Sequence, residues 1–176
     1  MLVVTQQTLD DFAGAHHQVF WERISNMFKT KTGELLSFYA VQRVLGFHAM
    51  TAKGLQEIEV DQIIGSVGRH REFTRSFLPK DKRVASRWRQ VDELFYEKGF
   101  DPIKVYKVGQ VYFVMDGNHR VSVSRAHNLK TIEAYVIEFT SPVPVYPDDD
   151  LESIGQRYER FESERKKDIN ITKIGT

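Results

Sequence analysis

The chain contains no cysteine. Disulfide scaffolds, thiolate zinc sites and cysteine nucleophiles are thereby excluded, whatever the fold. It also lacks long apolar runs. Those present span only a few residues, against the roughly 20 needed to cross a bilayer. Residues 1–20 carry no basic stretch followed by an apolar one, so no signal peptide is expected. The expectation is a cytoplasmic protein without membrane contact. Nor does one sign of charge dominate: 25 Lys and Arg face 24 Asp and Glu, a net charge of +1. Composition therefore gives no global pull toward nucleic acid. What is there suffices for a globular core, with 176 residues of which 41% are hydrophobic, and wholesale disorder is excluded.

Read along the chain, Thr8 is placed to cap a first helix, with Leu9, Phe12, Phe20, Ile24, Met27 and Phe28 at roughly helical spacing. A second helix is expected from Glu34, carrying Leu35, Phe38, Tyr39, Val41, Val44 and Leu45 and ending at Gly46. Residues 1–54 thus read as an N-terminal helical extension. From 55 to 140 strands and helices mix. Glu57 to Val60 alternates polar and apolar residues as a half-buried strand does, and residues 83–98 place Val84, Trp88, Val91, Leu94 and Phe95 on one helical face before Gly99. Ile103 to Val108 and Val111 to Met115 flank Gly109-Gln110, a pattern that predicts a hairpin with a two-residue loop. A short helix from Asn118 to His127 and a strand from Ile132 to Phe139 follow. In the stretch 141–176, three prolines at 142, 144 and 147 mark a linker, and a charged helix carries Leu151, Ile154, Tyr158 and Phe161 on one seam. That seam could dock on the domain or form a homodimer. Beyond Lys166 the helix is expected to fray. The fold class expected is α+β.

Asp116-Gly117-Asn118-His119-Arg120 lies between a predicted strand and a predicted helix. Gly117 permits a tight turn, and the backbone N–H groups that follow, at the positive end of the helix dipole, form an anion site. His119 and Arg120 add side-chain donors. The plainer alternative is a turn in which Asp116 caps the helix and the two basic residues are solvated; the residues alone leave both readings open. Between Ser66 and Gln90, eight Arg and Lys stand against Glu72 and Asp81, a net of +6. Such local concentration in a neutral chain points to an anion, or to pairing with the acidic C-terminal helix. His16 and His17 are adjacent and diverge on a helix, while His48, His70 and His127 stand alone, so no metal site is expected. No phosphate-loop, dinucleotide or nucleophile-elbow pattern occurs.

Residues from about Gln56 to Phe139, above all Asp101-Pro102-Ile103-Lys104-Val105 and Val111 through Arg120, resemble the ParB/sulfiredoxin superfamily. In ParB the corresponding motif reads Gly-Glu-Arg-Arg and contacts nucleotide phosphates; in sulfiredoxin it reads Gly-Gly-Cys-His-Arg, and in related free-serine kinases Asp-Gly-His-His-Arg. Asn118 stands where sulfiredoxin has its cysteine, so sulfinic-acid reduction is excluded. The helix-turn-helix of partition proteins is missing from the 37 residues after Phe139. What the resemblance implies is a mixed sheet with helices and a nucleotide polyphosphate held on the helix after the motif.

The leading expectation is a nucleotide-binding protein, with phosphotransferase or NTPase activity as its extension. Gly117, Asn118, His119 and Arg120 would hold the phosphates, with Arg69 and Arg71 approaching from the preceding loop. The cofactor would be a nucleoside triphosphate or diphosphate with Mg²⁺. Asp116, His119 and Glu72 are the candidate catalytic residues, Glu72 as a general base or else as a partner of Arg69 or Arg75. Two alternatives stand beside it. One is a DNA-binding or ParB-like nuclease protein that uses the basic 69–89 segment. The other is a non-catalytic module whose terminal helices repack when nucleotide binds.

Overall fold

A computed structural model describes residues 33–80 and 85–174. The helix expected over Thr8 to Phe28, and Lys82 and Arg83 of the basic segment, lie outside the described residues. Chain order runs β1 (Leu36–Ser37), α1 (Phe38–Leu45), β2 (Met50–Glu59), a 3₁₀ turn (Val60–Gln62), β3 (Ile63–Ser66), α2 (Ala85–Lys98), β4 (Ile103–Val108), β5 (Val111–Asp116), α3 (Asn118–Ala126), β6 (Thr131–Phe139) and α4 (Leu151–Ile174). The strands form one mixed sheet in the order β1-β3-β5-β4-β6-β2. The α+β class expected from sequence is the class observed.

The hairpin β4–β5 sits at the centre of the sheet and forms as the alternation predicts, Val108 pairing with Val111. Gly109 turns it at φ 60°, and a Cβ there would come within 2.8 Å of the Val145 backbone nitrogen. Only glycine meets both demands. β5 is almost continuously apolar because both of its faces are covered. Tyr112 and Val114 pack with Ile103, Val105, Val121 and Val136 on one side, while Val111 and Phe113 pack with Phe38, Val108 and Phe139 on the other.

On that second side Phe38 of α1 is the hub, its ring 4.7 Å from Tyr106, 5.6 Å from Phe113 and 5.1 Å from Phe139. α4 docks here through fully buried Ile154 and partly buried Tyr158, while Leu151 and Phe161 of the same seam stay exposed. On the first side α3 covers the sheet and α2 lies over α3. Trp88 is fully buried there, its Nε1 donating to Ser122 Oγ at 3.1 Å, and the Asp92 carboxylate meets His127 Nε2 at 2.7 Å.

Four expectations need correction. The second helix begins at Phe38 rather than Glu34: Ser37 caps it, accepting from the Ala40 N–H at 3.4 Å, and Leu36–Ser37 pair with β3 instead. Residues 33–54 are therefore no mere extension, since they supply β1, α1 and the first half of β2 to the same sheet. β2 runs ten residues where the alternation marked only Glu57 to Val60, because an edge strand with Ile58 its one buried residue shows no alternation before that point, and Val60 belongs to the 3₁₀ turn; a bulge interrupts the strand between Ala52 and Gly54. Finally, α4 runs past Lys166 to Ile174, with side-chain links such as Arg165 to Glu162 at 3.0 Å along its solvated surface.

Candidate functional site

β5 ends at Asp116, and one residue, Gly117 at φ 113°, turns the chain into α3. A Cβ on Gly117 would sit 2.4 Å from Ile103 Cγ2, so the turn and the close approach both require glycine. The first helical bond runs from the Val121 N–H to the Gly117 carbonyl at 3.0 Å. No side chain caps α3, and among the described residues nothing accepts from the N–H groups of Asn118, His119 and Arg120. A helix start left open in this way is an anion site in waiting.

It faces a cleft of about 440 Å³ lined by residues 115–120, by Arg69 from the loop after β3, and by Arg87 and Val91 from α2. Arg69 is held by two contacts. Its N–H donates to Ser66 Oγ at 3.1 Å, and its Nη1 donates to Glu72 Oε2 at 3.0 Å. Glu72 is thus bound to Arg69, as the plainer of its two sequence readings had it. Arg71 is exposed and does not line the cleft.

Arg120 lines the cleft, yet its guanidinium is engaged elsewhere. Nη2 donates to Asp116 Oδ2 at 2.8 Å, and Nη1 donates to the carbonyls of Asp101 and Pro102, each at 2.8 Å. It braces the start of α3 against the entry to β4, so its contribution to an anion comes through its backbone N–H. Arg87 is the residue that sequence reasoning missed as a site group. It stands four residues before Val91 and shares a helix face with it, a spacing legible inside the +6 segment. Arg75, by contrast, leaves that segment: its Nη2 donates to the carbonyls of Pro147 at 3.1 Å and Asp149 at 2.6 Å. Burial pulls its pKa down to about 10.

Asn118 is 5% exposed and His119 8%. Phe73 lies edge-on to the His119 ring at 5.3 Å. Burial, and then the charges of Arg69 and Arg87, lower the His119 pKa to about 4, with Glu72 opposing. The ring is neutral at neutral pH. No group of three or more His, Asp or Glu among the described residues could hold a metal ion. Asp116 is the one carboxylate of the cleft lining, and Arg120 takes one of its oxygens. These residues fit a Mg²⁺ that arrives with its phosphates, the usual manner for this ion, better than a resident one. No described helix is long and apolar enough to cross a membrane.

No known protein family and no curated protein matches the sequence. Among solved structures, the sulfiredoxin of Arabidopsis thaliana is similar, at 20% identity over 49% of this chain and 86% of that one, with a TM-score of 0.37. A score that low carries no argument about the site. The described residues form an α+β fold built on one mixed sheet, in a chain without cysteine.

Proposed function

We propose that the chain binds a nucleotide through its phosphates at the start of α3. The observation that carries this is the uncapped helix start opening on a cleft flanked by Arg69 and Arg87. Backbone N–H groups of Asn118 to Arg120 hold the phosphate oxygens, the two guanidinium groups supply charge, and His119 adds a neutral donor. A volume of about 440 Å³ suits a ligand of nucleotide size. The motif's resemblance to phosphate-contacting stretches of ParB relatives supports the nucleotide over a bare anion.

The reading stops at binding. Phosphoryl transfer to a hydroxyl calls for a proton acceptor beside the phosphates, and Glu72 is committed to Arg69. DNA binding through residues 69–89 has less to support it, because Arg75 is turned inward onto two carbonyls.

The test is calorimetric titration with ATP, ADP, CTP and GTP in the presence of Mg²⁺, on wild type and Arg87→Ala. Arg87 is exposed, so its removal reads binding rather than folding. Micromolar binding by one nucleotide, weakened about tenfold or more in the variant, is the expected outcome. No heat with any of the four sinks the reading.

A further inference from the structure

The polar groups around the cleft are almost all donors. One polar atom of Asn118 and one of His119 is buried without a partner: the amide Oδ1 and the ring Nδ1. That leaves amide Nδ2 and ring Nε2 as the polar atoms turned to the cleft that both residues line. A neutral imidazole carries a single N–H. On Nδ1 it would be a buried donor with no acceptor and would leave only a lone pair for the cleft; on Nε2 it is available to an anion, with Nδ1 left as a buried, unpartnered acceptor. The open helix start adds backbone N–H groups, and Arg69 and Arg87 add guanidinium donors. Asp116 is the sole acceptor among the lining side chains' outward groups, and Arg120 engages one of its oxygens.

We propose that this cradle selects the fully deprotonated form of its oxyanion, the dianion of a terminal phosphate, with His119 serving as a neutral Nε2–H donor. The inference rests on the phosphate reading of the same site and adds which protonation state of the ligand it takes. A P–OH brought into the cradle meets donors on every polar lining residue except Asp116, and Arg120 already takes one oxygen of that carboxylate; a site whose polar groups are mismatched in this way disfavours such a ligand. His119 itself takes up no proton on binding. Its second ring N–H would be Nδ1–H, in a place without an acceptor. The groups that face the ring agree: Arg69 from the loop after β3 and Arg87 from α2 both oppose a charge there, while Glu72, tied to Arg69, offsets them only in part and burial adds to the penalty. Asp116 and Arg120, at either end of the motif, are paired with each other.

Two probes separate the possibilities. Sulfate carries no proton over the range concerned, whereas the methyl phosphate dianion takes up a proton to become the monoanion at about pH 6. Between pH 7.5 and pH 5, the affinity for methyl phosphate is expected to fall about tenfold, as its dianion becomes scarce, while that for sulfate stays within about twofold. Calorimetry of sulfate binding in two buffers of different ionisation heat is expected to show no proton uptake. Ring ¹⁵N shifts of His119 should report the Nε2–H tautomer throughout, and His119→Gln, which keeps an N–H at similar reach, should retain sulfate binding where His119→Leu loses it. Sulfate binding that strengthens tenfold toward pH 5 with uptake of a proton, or methyl phosphate binding that holds at pH 5, overturns the inference while the nucleotide reading stands. Failure of both probes at tens of millimolar overturns it as well, and the nucleotide titration then decides separately whether the site itself survives.

Discussion

Two helices of this chain begin under the same physical demand and meet it in opposite ways. α4 arrives with its own anions. Asp150 accepts from the Ser153 N–H at 2.7 Å; Asp149 accepts from the Tyr146 N–H at 2.8 Å and is gripped by Arg157 at 2.7 and 2.8 Å. α3 arrives with Gly117, no cap, and two cations across a cleft. Where the chain satisfies its own helix start, the result is a joint that fixes α4 to the domain. Where it leaves the start unsatisfied and surrounds it with donors, the result is the opening on which the proposed phosphate site rests. Unspent hydrogen-bonding capacity, more than charge or pocket size, distinguishes the site from the scaffold.

The comparison can be broken most severely at the turn that creates the open start. Gly117→Ala places a methyl 2.4 Å from Ile103 Cγ2 at a backbone angle that side chains avoid. A loss of about 2–5 kcal/mol is expected, read as a large drop in thermal midpoint or failure to fold. Acid comes next. His119 is held to about 4 in the folded protein against 6.5 for the free side chain, so the unfolded chain takes the proton first. Stability is full above about pH 6.5 and falls by about 3 kcal/mol as pH drops toward 4. Denaturant midpoints from pH 7 to 4 measure this, and in His119→Gln that part of the slope should vanish. At the filled helix start, Asp149→Ala strands Arg157 and frees the Tyr146 N–H; about 2 kcal/mol of stability goes, while nucleotide affinity is unchanged. The smallest change sharpens the contrast: Asn118→Asp gives α3 a carboxylate of its own, as α4 has. Anion affinity should fall at least tenfold, about 1.4 kcal/mol, in the same titration. Unaltered affinity would mean that the helix start is not where the anion sits.

The sequence made the centre of the fold legible and its margins obscure, for a reason that lies in burial. β4, β5 and α3 could be read because Gly109-Gln110 and Gly117 punctuate strands whose side chains sort cleanly to two covered faces. Of β2 only the end from Glu57 could, since an edge strand that buries Ile58 alone has no period to show before it. β3 escaped for the opposite cause: all four of its residues are buried, so it too lacks alternation. Within the site, the motif Asp116 to Arg120 was visible as a string, whereas its division of labour was not. That Arg120 would brace two carbonyls and Arg87 would face the cleft depends on how α2 lies over α3, a tertiary fact carried by Trp88, Val91 and Val123. The same basic segment held Arg75, which spends its charge on the loop before α4.

The bulge in β2 bears on what the sheet can become. Among the described residues β2 is an edge strand of ten residues, with a row of N–H and C=O groups that no described strand pairs, the kind of template on which a further strand can add. Between Ala52 and Gly54 the pairing register slips, and Lys53, at the slip, is drawn back over the sheet to Glu138 at 2.9 Å. The row is thereby interrupted, a device that disfavours the regular addition of a further strand. The opening after β5 thus lies at the middle of the sheet, while the device that breaks up the edge lies in β2.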